Sequence, residues 1–265
     1  MLLTVRHVSH YAYDHPVPYA VQRLRLRPPT VPGQTVRQWD VAIDNGKTEV
    51  SYVDGFGNRT DLVQHNRNVS EIVITASGSV EVEDRAGVLG PVYGTAPLWL
   101  FLRETPLTLP GERIRALAGG LEPDSDRLAL LHGLMNAVHE AVAYRPGTTS
   151  VTTLAEDALA EGSGVCQDHS HIFLSAARLL GIPARYVSGY LLMEGVEDQT
   201  ASHAWAEAHV DGLGWVGFDA ANNVCPTDRY LRLATGLDYR DAAPISGIRH
   251  GGTTESLAVH INVGQ

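Results

Sequence analysis

Cys166 is the residue best placed for covalent chemistry. It follows Gly162 and Gly164 and opens a predicted helix of about fourteen residues that Gly181 ends. A thiol at a helix N-terminus feels the partial positive charge of the helix, which favours the thiolate. The preceding glycines let the backbone bend and let a substrate approach closely. Most free cysteines are buried and inert, so the position of Cys166 alone does not make it a nucleophile.

A thiolate nucleophile needs a proton acceptor, and the acceptor needs a group that orients it. Between residues 202 and 210 the sequence alternates strictly, which predicts a strand with two different faces. The alanines form one face, which can pack closely on a helix. The other face is polar and aromatic, as the wall of a site would be, and consists of His203, Trp205, Glu207 and His209. Either histidine taken alone is equally compatible with a surface strand.

Asp219 ends the next apolar run, and two roles are open to it. It can cap a turn, or it can hold a histidine in one tautomer and stabilise the charged ring. The strand register distinguishes the two. An odd loop that pairs Val210 with Gly214 places Asp219 diagonal to His203, and one that pairs Ala208 with Gly214 places it directly opposite His203. An even loop that pairs Val210 with Trp215 places Asp219 on the other face. A role in catalysis therefore requires an odd register. Turns that contain glycine commonly give such odd loops.

These residues lie in the second of two predicted regions, with the boundary between residues 105 and 106. Residues 1–105 contain successive short, alternating runs that predict a β-sandwich-like domain. Leu24 and Leu26 alternate with arginines at 23, 25 and 27, which predicts a half-buried strand. The run 70–84 is long enough for two strands divided at Ser77-Gly78.

Residues 106–265 predict an α+β region in which helices precede a run of antiparallel strands. Glycine and proline between 87 and 125 suggest a linker, with a short helix at 111–118. Apolar residues then recur at helical spacing from Ser125 to Tyr144, and a second short helix fits 153–162. The helix that begins at Cys166 and the strands that carry His203 and Asp219 complete this region.

Composition limits the class of protein. The chain has 265 residues, of which 44% are hydrophobic and 19% charged, as in globular rather than disordered chains. A net charge of −10 argues against a nucleic-acid partner. The sequence shows no apolar run of ~18 residues and no signal-peptide pattern, so we expect a cytoplasmic protein with no membrane partner. Two cysteines cannot form a disulfide scaffold, and Cys225, before Pro226, is expected to pack.

A metal site is the weaker alternative near Cys166. Asp168, His169 and His171 follow the cysteine and are all possible ligands. On a helix, however, His169 and His171 point about 200° apart and cannot simply share one ion. The spacing is not that of a His-Glu-x-x-His or Cys-x-x-Cys site, and no calcium-loop motif is present. We therefore expect no metal, no calcium requirement and no cofactor.

Three blocks of the sequence resemble those of the transglutaminase-like superfamily, in the order Cys, His, Asp. They are Gly164–His171, Ser202–Glu207 and Trp215–Asp219. N-terminal segments resemble the β domain that precedes the core in the bacterial branch: His10–Tyr13, Leu24–Pro28 and Asp54–Asn58. Bacterial members often carry proline after the aspartate, where this chain has Ala220. The resemblance implies a papain-like core, in which a cysteine at a helix N-terminus packs against an antiparallel sheet bearing histidine and aspartate.

The residues and the resemblance together predict acyl transfer at an amide bond of a peptide or protein, through a thioester. Cys166 would attack the carbonyl, His203 would move the protons and Asp219 would orient His203. The Cys166 N–H would stabilise the oxyanion, with Tyr144 or Gln167 as second donor. Hydrolysis is favoured over cross-linking of glutamine to amines because water is the default acceptor. Cross-linking, and a non-catalytic binding module on the same fold, stay open, as do the natural substrate and the oligomeric state.

Overall fold

A computed structural model of the chain describes residues 1–91, 95–121, 126–196, 198–251 and 254–265. Its strands are β1 Leu2–Val17, β2 Tyr19–Arg27, β3 Gln34–Asp44, β4 Gly46–Val53, β5 Arg59–His65, β6 Val69–Val82, β7 Val88–Gly90, β8 Ala143–Tyr144, β9 Ser163–Gly164, β10 Ala184–Leu191, β11 Asp198–Gln199, β12 His203–Val210, β13 Gly214–Phe218, β14 Tyr230–Gly236, β15 Ile245–His250 and β16 Glu255–Gly264. Its α-helices are α1 Glu112–Gly119, α2 Arg127–Ala141, α3 Ala155–Glu161, α4 Cys166–Leu179 and α5 Tyr239–Ala242. Short 3₁₀ helices span Leu98–Leu102 and Pro106–Thr108.

Two antiparallel sheets form the predicted β-sandwich. One has the order β11-β16-β1-β6-β3 and the other the order β15-β2-β5-β4. Alternate residues of β1, such as Leu3 and Val5, point inwards and are buried with Leu24 of β2 and Ile72 of β6 in one apolar core. The period-two pattern of the sequence therefore does mark the inner face of this region.

The predicted turn at Ser77-Gly78 is wrong, because β6 runs without a break through both residues. Gly78 pairs with Trp39 of β3, and a Cβ at Gly78 would lie 2.8 Å from the Trp39 Cα. The glycine thus permits a close approach of two strands, which a sequence pattern cannot distinguish from a turn.

Arg25 departs from the predicted half-buried strand. Leu24 and Leu26 are buried as predicted, but Arg25 on the opposite face is also only 4% exposed. Its Nε donates to Asp54 Oδ2 at 3.2 Å, and its guanidinium lies near the Ala243 carbonyl oxygen at 3.5 Å. A long-range ion pair therefore covers the face that the alternation predicts to be solvent-exposed.

The last strands of the chain return to the sheets that its first strands begin. β16 pairs with β1 from Thr4↔Gly264 to Tyr13↔Glu255, and β15 pairs with β2. Conversely, β7 belongs to the first region by sequence but joins the sheet of the second region by pairing with β13. The division at residue 105 stays a prediction, and strands on both sides of it share sheets.

The second region packs helices on an antiparallel sheet of order β14-β10-β12-β13-β7. As predicted, the alanine face of β12 packs on α4, and Ala204, Ala206 and Ala208 are buried in one core with Phe173 of α4. The four predicted helices are present as α1 to α4, and α4 has the predicted fourteen residues. Ser125, the predicted start of α2, lies outside the described residues.

The predicted linker is not a free connection where the structure describes it. Phe101 is 2% exposed, and its ring lies 5.0 Å from that of Trp215 in an edge-to-face contact. Leu107 is fully buried. Glycine and proline here shape short turns that pack on the sheet. None of the described helices is long and apolar enough to cross a membrane.

A buried ion cluster lies on the face of β12 opposite its alanines. Glu207 receives Arg185 Nε at 2.7 Å and also pairs with Arg232, and all three are at most 6% exposed. The Arg185 guanidinium lies 4.0 Å from the centre of the Trp215 ring. The prediction that this face walls a site is therefore wrong for Glu207, which lies in packed interior. Trp205 is also buried, but its ring stacks beside that of His203.

Replacing Glu207 with glutamine keeps the shape but removes the carboxylate that Arg185 and Arg232 share. We expect the free energy of unfolding to fall by about 3–5 kcal/mol, since breaking a buried pair leaves charge uncompensated. Urea unfolding measures the change. The matched control is Glu81→Gln, which breaks an exposed pair with Arg37 and should cost about 0–1 kcal/mol. Equal losses in the two variants would contradict the prediction.

Candidate active site

Cys166 is the first residue of α4, as the sequence predicts, and it is 8% exposed. Asp168 fixes this end of the helix, because its Oδ2 accepts the Val165 N–H at 2.8 Å and the Thr149 hydroxyl at 2.6 Å. A Cβ at Gly164 would lie 2.7 Å from the same oxygen. Only glycine therefore fits beside the carboxylate that sets the direction of the helix.

The register of β12 and β13 is the odd one that the triad requires. Val210 pairs with Gly214, and Ala206 pairs with Phe218. Asp219 follows Phe218 on the strand, so it falls diagonal to His203. This prediction is confirmed, and the three residues of the turn, 211–213, place the two polar side chains on the same face.

His203 lies between the other two residues. Its Nε2–H donates to Asp219 Oδ2 at 2.7 Å, and the ring lines the same cleft as the Cys166 side chain. Burial lowers the pKa of His203, but the hydrogen bonds to Asp219 and Cys166, together with their charges, raise it to about 10. Burial likewise raises the pKa of Asp219, and the hydrogen bond and charge of His203 reverse this and lower it. The imidazolium and the carboxylate therefore stabilise each other.

Asp219 is held by donors that sequence reasoning missed. Its Oδ2 also accepts the Asn222 side-chain amide at 2.7 Å and the Tyr230 hydroxyl at 2.8 Å, and its Oδ1 accepts the Ala221 N–H at 3.0 Å. Asn222 stands three residues after the aspartate, a spacing typical of a turn. Tyr230 is on another strand, and no local pattern connects it to Asp219.

Aromatic rings enclose the histidine. The Tyr230 ring centre lies 5.8 Å from that of His203, and the Trp205 ring lies 6.3 Å from it in a stacked arrangement. Trp205 and Tyr230 meet edge to face at 5.5 Å. This packing limits the ring positions available to His203 and excludes water from its hydrogen bond to Asp219.

Cys166 and His203 open into a cleft of about 520 Å³, which Tyr144 and Gln167 also line. Tyr144 is 54% exposed, and the pairing of β8 with β9 places it beside Gly164. The Gln167 side-chain amide donates to the Val151 carbonyl oxygen at 3.4 Å. His209 lies away from this cleft and packs on Trp215 at 5.6 Å. The structure thus brings together the predicted residues and leaves His209 out.

The other possible ligands on α4 are engaged elsewhere. Both ring nitrogens of His169 lie 2.9 Å from backbone carbonyl oxygens, those of Val165 and Val142. His171 Nε2 accepts the Tyr239 N–H at 3.2 Å. In the part of the chain that the structure describes, no three His, Cys, Asp or Glu side chains are grouped to hold a metal ion.

Replacing Asp219 with asparagine removes a charge and a hydrogen bond that raise the pKa of His203. We expect this pKa to fall from its raised value of about 10, so the alkaline limb of the pH–rate profile should lie at lower pH than in the wild type. The rate at neutral pH should fall by about 10- to 1,000-fold. Tyr230→Phe is the control, because it keeps the carboxylate and should move the limb less. An unchanged limb in Asp219→Asn would refute this role.

Comparison with known proteins agrees with this geometry. The family model described as "Transglutaminase-like superfamily" matches residues 115–220, a range that contains Cys166, His203 and Asp219. The model described as "Bacterial transglutaminase-like N-terminal region" matches residues 3–81. Both predicted resemblances are therefore confirmed.

Relatives match over nearly the whole chain. An uncharacterized protein of Mycobacterium leprae is 29% identical over 274 residues, covering 98% of both chains. One of Mycobacterium tuberculosis is 26% identical over 287 residues, covering 96% of this chain and 89% of that protein. The crystal structure of a proposed cysteine protease from Cytophaga hutchinsonii superposes with a TM-score of 0.81 at 20% identity, covering 100% of this chain and 90% of that one. The fold is thus a known one, and the chain belongs to the transglutaminase-like superfamily, with the N-terminal region of its bacterial members.

Proposed function

We propose that this protein is a cysteine-dependent enzyme that cleaves amide bonds of peptides or proteins through a thioester. The observation that carries the proposal is the position of His203, whose ring is hydrogen-bonded to Asp219 at 2.7 Å and lines one cleft together with Cys166. A nucleophile, a base and an orienting anion in contact are what acyl transfer needs.

The reaction follows from these contacts. The Cys166 thiolate attacks the carbonyl carbon, and the resulting oxyanion is stabilised by N–H groups at the start of α4. The His203 imidazolium gives its proton to the departing amine, which leaves as the thioester forms. Neutral His203 then takes a proton from water, and the hydroxide attacks the thioester. The acid is released, and the thiolate–imidazolium pair is restored.

A second oxyanion donor would come from the cleft wall. Burial and the charges of Cys166 and Asp219 raise the pKa of Tyr144, so its hydroxyl keeps its proton and can donate. Gln167 follows the nucleophile and carries an amide donor whose present bond to Val151 is long, at 3.4 Å. We propose Tyr144 first and Gln167 second.

Hydrolysis is the outcome we propose over cross-linking of glutamine to amines. Water intercepts a thioester unless a site excludes it, and the cleft beside Cys166 is open to solvent. The description of the Cytophaga hutchinsonii protein as a proposed protease supports this at the level of fold. A non-catalytic module would have no need to keep a buried imidazole between a thiol and a carboxylate, which argues against that alternative.

Thiol labelling tests the nucleophile without a known substrate. We expect iodoacetamide to modify Cys166 at pH 6–7 at least ~10-fold faster than Cys225, because Cys166 lies at a helix N-terminus and shares a cleft with His203, the setting of a reactive cysteine. Cys225 is the internal control, since burial raises the pKa of its thiol. Peptide mapping by mass spectrometry gives both rates. Equal labelling, or labelling at Cys225 alone, would overturn the proposal.

A substrate screen decides the reaction. Amide-containing peptides are incubated with the enzyme and with Cys166→Ser, and mass spectrometry distinguishes peptide cleavage, loss of ammonia and incorporation of an added amine. Cleavage or ammonia loss that depends on Cys166 supports hydrolysis. Amine incorporation as the main product would favour cross-linking instead.

A further inference from the structure

The cleft at Cys166 continues towards the β-sandwich. A second cavity of about 180 Å³ shares Thr200, Ala201, Ser202 and Tyr239 with the cleft. A third, of about 230 Å³, shares Tyr11 and Ile245 with the second. The second and third cavities lie along β15 and β16, and we call this pair of cavities the seam. The shared lining residues place the seam next to the cleft that holds the nucleophile.

The strands beside the seam have open edges. β15 is the outermost strand of its sheet and pairs only with β2 within the described residues. β16 pairs with β1 along its length, but on its other side the described part of the chain pairs only β11, with Ile261 and Asn262. Backbone N–H and C=O groups of an unpaired edge are free to bind another extended chain.

Large aliphatic side chains are exposed along both cavities of the seam, and the cavity next to the cleft is uncharged. Leu257 is 52% exposed and Ile248 is 73% exposed, although both are large aliphatic residues on strands. Among the residues that the structure describes, no Asp, Glu, Lys or Arg lines the 180 Å³ cavity. Its His7 is neutral at pH 7, because burial lowers its pKa to about 4, and its ring nitrogens are engaged by Tyr190 and Ser9. Such a cavity fits an uncharged, apolar side chain.

An ion pair lines the 230 Å³ cavity, at the end of the seam away from the cleft. Arg249 Nε donates to Glu255 Oε2 at 3.1 Å, and the two side chains are about one third exposed, at 30% and 33%. Arg249 also lies over the Tyr13 ring at 5.7 Å. This pair bounds the apolar stretch, so its ligand runs from the cleft towards Arg249 and Glu255.

We propose that the seam binds an extended, apolar segment of the polypeptide substrate, which adds as a strand to β15 or β16 while the amide to be cleaved lies at Cys166. The proposal rests on the proposed function and names its substrate class: a chain long enough to reach the sandwich, rather than a small amide. Main-chain bonds to the edge would give affinity, and the cavities would select alternate apolar side chains. The four lining residues that the seam shares with the cleft favour the substrate itself as the occupant.

Electrophilic peptides test the proposal without a known substrate. The probes are a dipeptide and an octapeptide of alternating leucine and serine, each made with an N-terminal chloroacetyl group and, separately, with a C-terminal chloromethyl ketone, so both chain directions are sampled. We expect one octapeptide to alkylate Cys166 at least ~10-fold faster than its dipeptide. Each rate is divided by the iodoacetamide rate of the same variant, which reports the thiol alone.

Two variants of the seam and one control locate the effect. In Leu257→Asp and Ile248→Asp the normalised gain of the octapeptide should fall towards one, because a carboxylate now meets an apolar side chain. The control is Val50→Asp, which puts the same charge on β4, the edge strand at the opposite side of the sheet that contains β15. Val50 is 46% exposed. This variant should keep the gain.

Several results would overturn the proposal. One is equal normalised alkylation rates for the octapeptide and the dipeptide, and another is an octapeptide gain that survives in both Leu257→Asp and Ile248→Asp. A third is a dimer that sedimentation detects and that Leu257→Asp dissociates, in a protein that shows no octapeptide gain. The last result would assign the edges to a second copy. Hydrogen exchange with the octapeptide that lacks an electrophile measures binding at the seam independently of the thiol. Protection of backbone amides at 245–250 or 255–260 supports the proposal, and the absence of protection in both ranges refutes it. A failed iodoacetamide reaction would instead refute the proposed nucleophile.

Discussion

Replacing His203 with alanine will reduce amide cleavage to near background. The imidazole receives the thiol proton, stabilises the thiolate and protonates the leaving amine, so one substitution removes all three contributions. We expect kcat/KM to fall by about 10³- to 10⁶-fold, the range seen when a member of a catalytic unit is lost. Steady-state kinetics on a peptide found in the screen gives the value.

The matched control for His203→Ala is His209→Ala. Both residues stand on the same face of β12, but His209 lies at its far end and packs on Trp215. We expect His209→Ala to change kcat/KM by less than about threefold. A loss in His209→Ala as deep as that in His203→Ala would show that the wrong histidine was chosen.

Replacing Cys166 with serine will also abolish turnover, by at least about a thousandfold. The hydroxyl has nearly the same shape as the thiol, but it does not ionise beside His203 and cannot supply the thiolate. The wild-type fold should be kept, because the side chain at the start of α4 is small and its volume changes little. Circular dichroism and thermal unfolding check the fold, and the peptide assay checks the rate.

Cys166→Ser also separates the two chemistries considered for this part of α4. A metal-dependent hydrolase that used Asp168, His169 or His171 would retain much of its rate with serine in place of the thiol, and chelators would then inhibit it. Substantial turnover by Cys166→Ser, lost on addition of a chelator, would replace the thioester mechanism with a metal-dependent one.

Local patterns were sufficient for the parts of the site that depend on short stretches of chain. The glycines before Cys166 and the apolar spacing after it predicted α4 with its correct length. The alternation after Ser202 predicted which face of β12 packs on that helix. Register arithmetic then required an odd loop, and the structure has one, with Val210 paired to Gly214. These features follow from the fixed periods of helices and strands.

Contacts between distant segments could not be predicted from the sequence. Tyr230 reaches Asp219 across the sheet, and Glu207 joins Arg185 and Arg232 from three different strands. A polar residue on a strand predicts an exposed face unless its partners are known, and those partners stand tens of residues away. Gly78 shows the same limit, because a close approach of β3 and a turn require the same residue.

The pairing of β16 with β1 has a consequence for how the chain folds. The five-stranded sheet of the sandwich needs residues from both extremes of the sequence, since Thr4 pairs with Gly264. During synthesis the first sheets must therefore wait, with an open side, until the last strands leave the ribosome. Contacts of such long sequence separation slow folding and prolong the exposure of unpaired strands. A chaperone that protects nascent β-strands would be expected to raise the yield of this protein more than that of one whose sheets close early.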